Sequence, residues 1–290
     1  MSPLREQMIR DLTIRGYSPN THRSYINWVY DLAKFYLKSP DQLSEEQIQS
    51  YLFYVATERS ASWSTLNVAV SALRFFYGTT LKRPRSEVDL TIPRARTGQR
   101  LPCALSTEEV EALFEFCGNR KHRVLLMTAY GAGLRVSELV RLLPRHLDAK
   151  REQLRVEQGK GRKDRYTLLS PRLVEELRTY WEKYRPQTWL FEGRTPGQHL
   201  SEGSAQMIYR KWATKAGITK AGGIHILRHS FASHLVENGM DLPVVQRLLG
   251  HRNLCTTAVY LHVSRNLKDK WRSPLDLLNP QLPRSFNQEG

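Results

Sequence analysis

His225-Ile226-Leu227-Arg228-His229-Ser230-Phe231-Ala232 sets imidazoles and a guanidinium into an apolar segment. His225 and Arg228 stand three residues apart, so on a shared helical turn they project from one face, as two donors aimed at one phosphate require. Taken alone, the pair reads as readily as a capping histidine and a solvated arginine.

Three other segments hold residues of the same chemical kind. They are Gly133-Leu134-Arg135-Val136-Ser137-Glu138-Leu139, Gly159-Lys160-Gly161, and Leu248-Leu249-Gly250-His251 followed by Thr256-Thr257-Ala258-Val259-Tyr260. Each has an ordinary reading of its own. Arg135 with Glu138 makes a helix-face pair, Lys160 a soluble hairpin tip, His251 a dipole-favoured helix C-terminus, and Tyr260 a half-buried aromatic. Their order along one chain is what singles them out.

The bulk properties point the same way. The chain has 290 residues, of which 40 % are hydrophobic, enough to build packed cores in one large domain or two ordinary ones. Forty-four Lys and Arg against 28 Asp and Glu leave a net charge of +16, a field that attracts a polyanion. Nucleic acid is the leading partner, although charge alone does not separate DNA from RNA or acidic lipid. No run approaches the roughly 20 apolar residues of a membrane span, and the charges mixed through Met1 to Arg15 give no apolar signal core. A cytoplasmic protein with no membrane association is expected. Cys103, Cys117 and Cys255 lack paired spacing, which argues against a disulfide framework or a zinc site.

Ser18-Pro19-Asn20-Thr21 offers a capping residue before a proline at a first helical position, and apolar residues then recur at helical spacing to about Tyr36. Ser44-Glu45-Glu46-Gln47 has the form of a capping box, and Leu66 to Phe76 carries a third stripe. The first ninety or so residues therefore read as helical. Lys82 to Arg85 and Ile92 to Arg100 are basic, proline-containing and weakly apolar, suited to an extended linker. Ser106-Thr107-Glu108-Glu109 then caps a helix, and Val124 to Ala129 runs into Gly131-Ala132-Gly133. Alternation around Leu154 and Val156, turn residues at Gly159-Lys160-Gly161 and a resumption at Tyr166 to Leu169 predict a β-hairpin with Lys160 near its turn. Helices are expected at about Arg172–Lys183, Ser201–Ala216, His229–Asn238, Leu242–Leu249 and Thr256–His262.

As an ordered set, G-x-G-L-R-x-S-E-L, G-K-G-x-K-x-R, H-x-L-R-H-S-F-A and L-L-G-H-x-x-x-x-T-T-x-x-Y resemble the tyrosine recombinases, including phage integrase and Xer-like members. The resemblance extends to Ser18 through Phe76, which is similar to the family's helical core-binding domain, with less specific motifs. Ser230 and Ser233 stand where many relatives carry Thr, and Gly222-Gly223 precedes Ile224-His225; these are neighbours of the expected site, not members of it. The resemblance implies a mainly α fold with a small β-hairpin or sheet. An N-terminal helical, SAM-like core-binding domain (1–94) and a basic linker (95–104) precede a C-terminal mixed α/β tyrosine-recombinase catalytic domain with its tail (105–290).

It also implies a site made of Arg135, Lys160, His225, Arg228, His251 and Tyr260, with no metal and no cofactor. A phosphodiester repels nucleophiles, so cations are needed on its non-bridging oxygens as the transition state gathers charge; Arg135 and Arg228, with forked donors, suit that task. Tyr260 is the nucleophile by resemblance, and a phenol needs a proton acceptor to attack at neutral pH, for which His225 is the candidate. Lys160 would protonate the leaving 5′ oxygen, and His251 would donate to the phosphate. The expected partner is double-stranded DNA, with four protomers on paired sites and a monomer or weak oligomer when free. Leu267 to Leu278 would dock on a neighbour or pack at home. A mobile-element integrase or transposase is the favoured role. A type IB topoisomerase-like enzyme and a catalytically silent DNA-binding architectural protein are the alternatives.

Overall fold

Serine side chains open helices throughout this chain, because a hydroxyl at the N-cap accepts a hydrogen bond from an amide that has no partner inside the helix. The computed structural model describes residues 2–92, 103–157, 164–251 and 253–262. It forms two units, Met1–Gln99 and Arg100–Gly290.

In the first unit Ser2 caps α1 (Pro3–Ile14), Ser18 caps α2 (Pro19–Tyr36), and Ser44 with Gln47 forms a complete capping box on α3 (Glu45–Thr57). Ser62 caps α4 (Trp63–Phe75), which runs on into a π-helical turn, Phe76–Thr80. Leu12 and Leu32 meet Ile48, Tyr51 and Leu73 in one buried cluster, each large apolar side chain contributing about 1.5–3 kcal/mol by leaving water. The charged opening is thus a helix that buries Met8 and Leu12. Between the two basic stretches, at the end of the helical first ninety residues, lies a further short helix, α5 (Arg85–Thr91), which no local motif marked out. Val88 and Ile92, one turn apart, are buried against the same core, and that burial outweighs the weak local signal. Most of the expected linker, through residue 102, lies outside the described residues.

In the second unit Ser106 caps α6 (Thr107–Glu115) as expected and forms a capping box with Glu109, and Asn119 caps α7 (Arg120–Gly131). A tight turn leads to α8 (Val136–Val140). The small antiparallel sheet has the order β1-β2-β3, with β1 Leu147–Asp148, β2 Gln153–Val156 and β3 Arg165–Leu168. Leu154 faces Thr167 and Val156 faces Arg165 in register. Leu154, Val156 and Thr167 are buried while their neighbours are not, the alternation of a sheet with one covered face. The hairpin tip with Lys160 lies outside the described residues.

The remaining helices are α9 (Pro171–Tyr184), α10 (Glu202–Lys215), α11 (His225–Glu237), α12 (Leu242–Leu249) and α13 (Cys255–Ala258), the last followed by a 3-10 turn, Val259–His262. α11 starts one turn earlier than its apolar spacing predicts, so His225 and Arg228 do share a helical turn. It packs on α7 and α12 and buries Leu227, Ser230 and Phe231. The fold is mainly helical with a small three-stranded sheet. Among the described residues no helix is long and apolar enough to cross a membrane. The tail segment Leu267 to Leu278 lies outside the described residues.

Candidate active site

α11 is the platform. Phe231 packs so closely on the turn after α7 that a Cβ on Gly133 would stand 2.3 Å from its ring, and Gly133 itself takes a φ of +58°. Only glycine fits both conditions. The turn thereby brings the Gly133 carbonyl to Arg228, whose Nη1 donates to it at 2.6 Å. Arg228 Nη2 donates at 2.6 Å to the carbonyl of Leu249 at the end of α12. One guanidinium, 5 % exposed, thus ties two loops to α11.

Beside it lies a buried carboxylate. Glu138 accepts from the Arg135 amide and from Arg135 Nη1, each at 2.8 Å. Its two oxygens also accept Nη1 and Nη2 of Arg165 at 2.8 Å, a bidentate pair. Arg228 Nη1 stands 3.8 Å away. Arg165 Nε donates to the carbonyl of Leu248 at 2.8 Å, so β3, α8 and the end of α12 meet at one side chain. The chain then turns through Gly250 at φ +65°, where a Cβ would sit 2.8 Å from the Arg165 side chain.

His251 follows, its Nδ1 in a 3.0 Å hydrogen bond with the Thr257 hydroxyl. Tyr260 is 2 % exposed, and its hydroxyl lies 2.9 Å from Nδ1 of His229. His225, one turn before His229, has an exposed side chain beside Arg228 and Arg135.

Charge sets the protonation states. Burial alone would raise the Glu138 carboxyl, but hydrogen bonds and charge from Arg165 and Arg135 bring it down to about 2. Burial, then the Arg135 and Arg165 cations, push Arg228 down to about 9 despite the help of Glu138. His251 falls to about 4 by burial and then by Arg228, Arg135 and Arg165. His225 is lowered too, first by the protein packed around it and then by Arg228 and Arg135, and His229 by burial and then by His225 and Arg228. All three imidazoles are therefore neutral at pH 7. Burial raises Tyr260, while Arg228 and Arg135 oppose that. Among the described residues three guanidinium groups around one carboxylate leave two positive charges in excess, a partly covered cationic site beside a phenol.

The expected residues Arg135, His225, Arg228, His251 and Tyr260 converge here, and Lys160 lies outside the described residues. Two participants were not singled out from the sequence. Arg165 stands at the end of G-K-G-x-K-x-R, which was its only signal. His229 makes the contact with Tyr260 for which His225 was the candidate; its place one turn after His225 was the available hint.

Residues 104–266 match the Phage integrase family, and residues 4–87 match its N-terminal SAM-like domain. The chain is 41 % identical to the integrase/recombinase-type protein y4qK of Sinorhizobium fredii, covering 98 % of this chain and 92 % of that one. It is 31 % identical to the tyrosine recombinase XerA of Pyrococcus horikoshii, over 91 % and 90 % of the two chains. Its fold is similar to that of the Tn1549 transposon integrase in complex with circular intermediate DNA, with a TM-score of 0.67 and 18 % identity over 89 % of this chain and 94 % of that one.

Proposed function

Because the chain belongs to the phage integrase family and is a tyrosine recombinase, a DNA strand transferase of site-specific recombination, we propose that Tyr260 is its nucleophile and that Arg135, Arg228, His225 and His251 hold the scissile phosphate. The observation that carries this reading is the uncompensated positive charge of the three guanidinium groups around Glu138, next to the Tyr260 hydroxyl. A dianionic transition state supplies the missing negative charge, and preorganised donors favour it without reorganising as the charge develops.

In this mechanism Tyr260 Oη bonds to phosphorus as the bond to the 5′ oxygen breaks. The 5′ oxygen leaves as a hydroxyl with a proton from Lys160, and the phenolic proton passes to a histidine. A neutral His251 whose Nδ1 accepts from Thr257 presents Nε2–H to a phosphate oxygen. The 3′-phosphotyrosyl ester conserves the energy of the broken bond, so a 5′ hydroxyl from a second duplex reseals the strand without ATP. The partner is double-stranded DNA, and exchange of both strands of two duplexes needs four active sites, hence a homotetramer on paired sites. The role is that of a mobile-element integrase, supported by the relative called an integrase/recombinase and by the transposon integrase of like fold.

The test is trapping. Protein is incubated in EDTA with a supercoiled plasmid carrying its native flanking DNA and quenched with SDS, with Tyr260→Phe alongside. A covalent adduct from the wild type and none from Tyr260→Phe is the expected result. Binding without an adduct, on this plasmid and on a nicked substrate, would identify a silent DNA-binding protein instead.

A further inference from the structure

We propose that His229 is the group that takes the proton from Tyr260 when the tyrosine attacks DNA, an assignment that rests on the recombinase reading of the site. Of the three histidines gathered here, His229 alone has a nitrogen against the reacting oxygen: Nδ1 lies 2.9 Å from the Tyr260 hydroxyl. His251 is engaged through Nδ1 with Thr257, and His225 stands one turn earlier on α11 with its side chain exposed. Glu138, the nearby carboxylate, already accepts from Arg135 and Arg165, so it has neither the basicity nor a free line of approach.

Among the described residues the titratable and charged groups around the ring are His225 and Arg228 on its own helix, Tyr260 on the 3-10 turn, and His251 beyond α12. None of them favours an imidazolium in the free protein, and the Arg228 cation opposes it. A neutral His229 carries its hydrogen on Nε2 and accepts the phenol O–H at Nδ1. Transfer leaves an imidazolium and a phenolate. The phenolate forms the O–P bond, the P–O5′ bond breaks, and the 5′ oxygen is protonated from the other side of the phosphorus.

The same charges give the step a trigger. A phosphate seated on Arg228 offsets the cation that, after burial and His225, depresses His229, so its basicity rises when DNA is in place. Tyr260 is therefore ionised by the substrate it attacks, and stays a neutral, hydrogen-bonded phenol without it.

The experiment measures single-turnover adduct formation on a nicked DNA site between pH 5.5 and 9.5 (a range of about four units about neutrality), with wild type, His229→Ala, His229→Asn and Tyr260→Phe. Asparagine keeps an acceptor near the Nδ1 position but takes no proton, so it separates proton transfer from orientation. Both His229 variants should bind DNA as the wild type does and react roughly 100-fold or more slowly at pH 7. Their deficit should shrink as pH rises towards the ionisation of the phenol. A 5′-bridging sulfur, whose thiolate leaves without a proton, should not rescue them, because the defect is not in the acid. His229→Asn reacting within about threefold of wild type at pH 7, a deficit independent of pH, or rescue by the thiolate leaving group would each overturn the assignment. Should His229→Ala fail to fold, His229→Asn carries the comparison. No adduct from the wild type would overturn the recombinase reading and this one together, whereas a wild-type adduct with an undiminished His229→Asn overturns this one alone.

Discussion

Arg165 meets both carboxylate oxygens of Glu138 at 2.8 Å, with the two side chains 8 % and 5 % exposed. Such a pair is costly to desolvate and costlier to break from one side, by about 3–5 kcal/mol. Glu138→Gln should therefore lower unfolding stability by about 3 kcal/mol, read from chemical denaturation, because three guanidinium groups would then face each other without a counter-charge.

Acid should weaken the fold in two stages. Histidines held below their ordinary range bind fewer protons folded than unfolded, so their stabilisation is complete above about pH 6.5 and is lost as pH falls towards the His251 value of about 4. Glu138, depressed to about 2, adds a second loss beginning near pH 4.5. Urea midpoints measured from pH 8 to pH 3 should show both, and His251→Asn should flatten the upper one.

Arg228→Lys should bind DNA within a few-fold of wild type yet form adduct about 100-fold more slowly or worse. An ammonium is a point charge whose three donors share one nitrogen, so it cannot span the carbonyls of Gly133 and Leu249 while also facing a phosphate. Gel-shift affinity and adduct yield on the same DNA check the two halves of this expectation.

Gly250→Ala forces a side chain onto a φ of +65° and onto Arg165 at 2.8 Å. A loss of about 1–3 kcal/mol is expected, together with reduced cleavage as Arg165 is displaced. Thermal melting and adduct formation on one preparation would show both effects.

Chelation should leave cleavage unchanged, because the charge facing the phosphate comes from guanidinium groups that are always present. DNA affinity should fall steeply with salt, as expected for Lys and Arg contacts that release counterions. Adduct yield with and without EDTA, and binding titrations across salt, test the pair.

Much of the fold was legible because its signals are local. The Ser18, Ser44 and Ser106 caps act over three residues, and the alternation at Leu154 and Val156 marks a covered strand. α5 escaped notice because Val88 and Ile92 mean little until the core they enter is known. The site was legible as a list of residues but not as a network. Arg165 and Glu138 are separated by 27 residues, and His229 and Tyr260 by 31. No spacing rule links partners so far apart in sequence. Arg135 and Glu138 did present the i, i+3 pairing expected of an ordinary helix face, and the structure keeps that pair while giving Glu138 a second arginine. One arrangement serves both readings.

The single side chain of Arg165 holds β3 to the first turn of α8 and to the Leu248 carbonyl at the end of α12. In the chain these segments stand next to Arg135, proposed as a phosphate clamp, and to His251 and Tyr260, proposed as phosphate donor and nucleophile. A seated duplex that shifts α12 must therefore carry β3 with it or break the pair. In the proposed mechanism a movement of α12 is thereby felt at Arg135 as well as at His251 and Tyr260, so clamp and nucleophile are geared to one another.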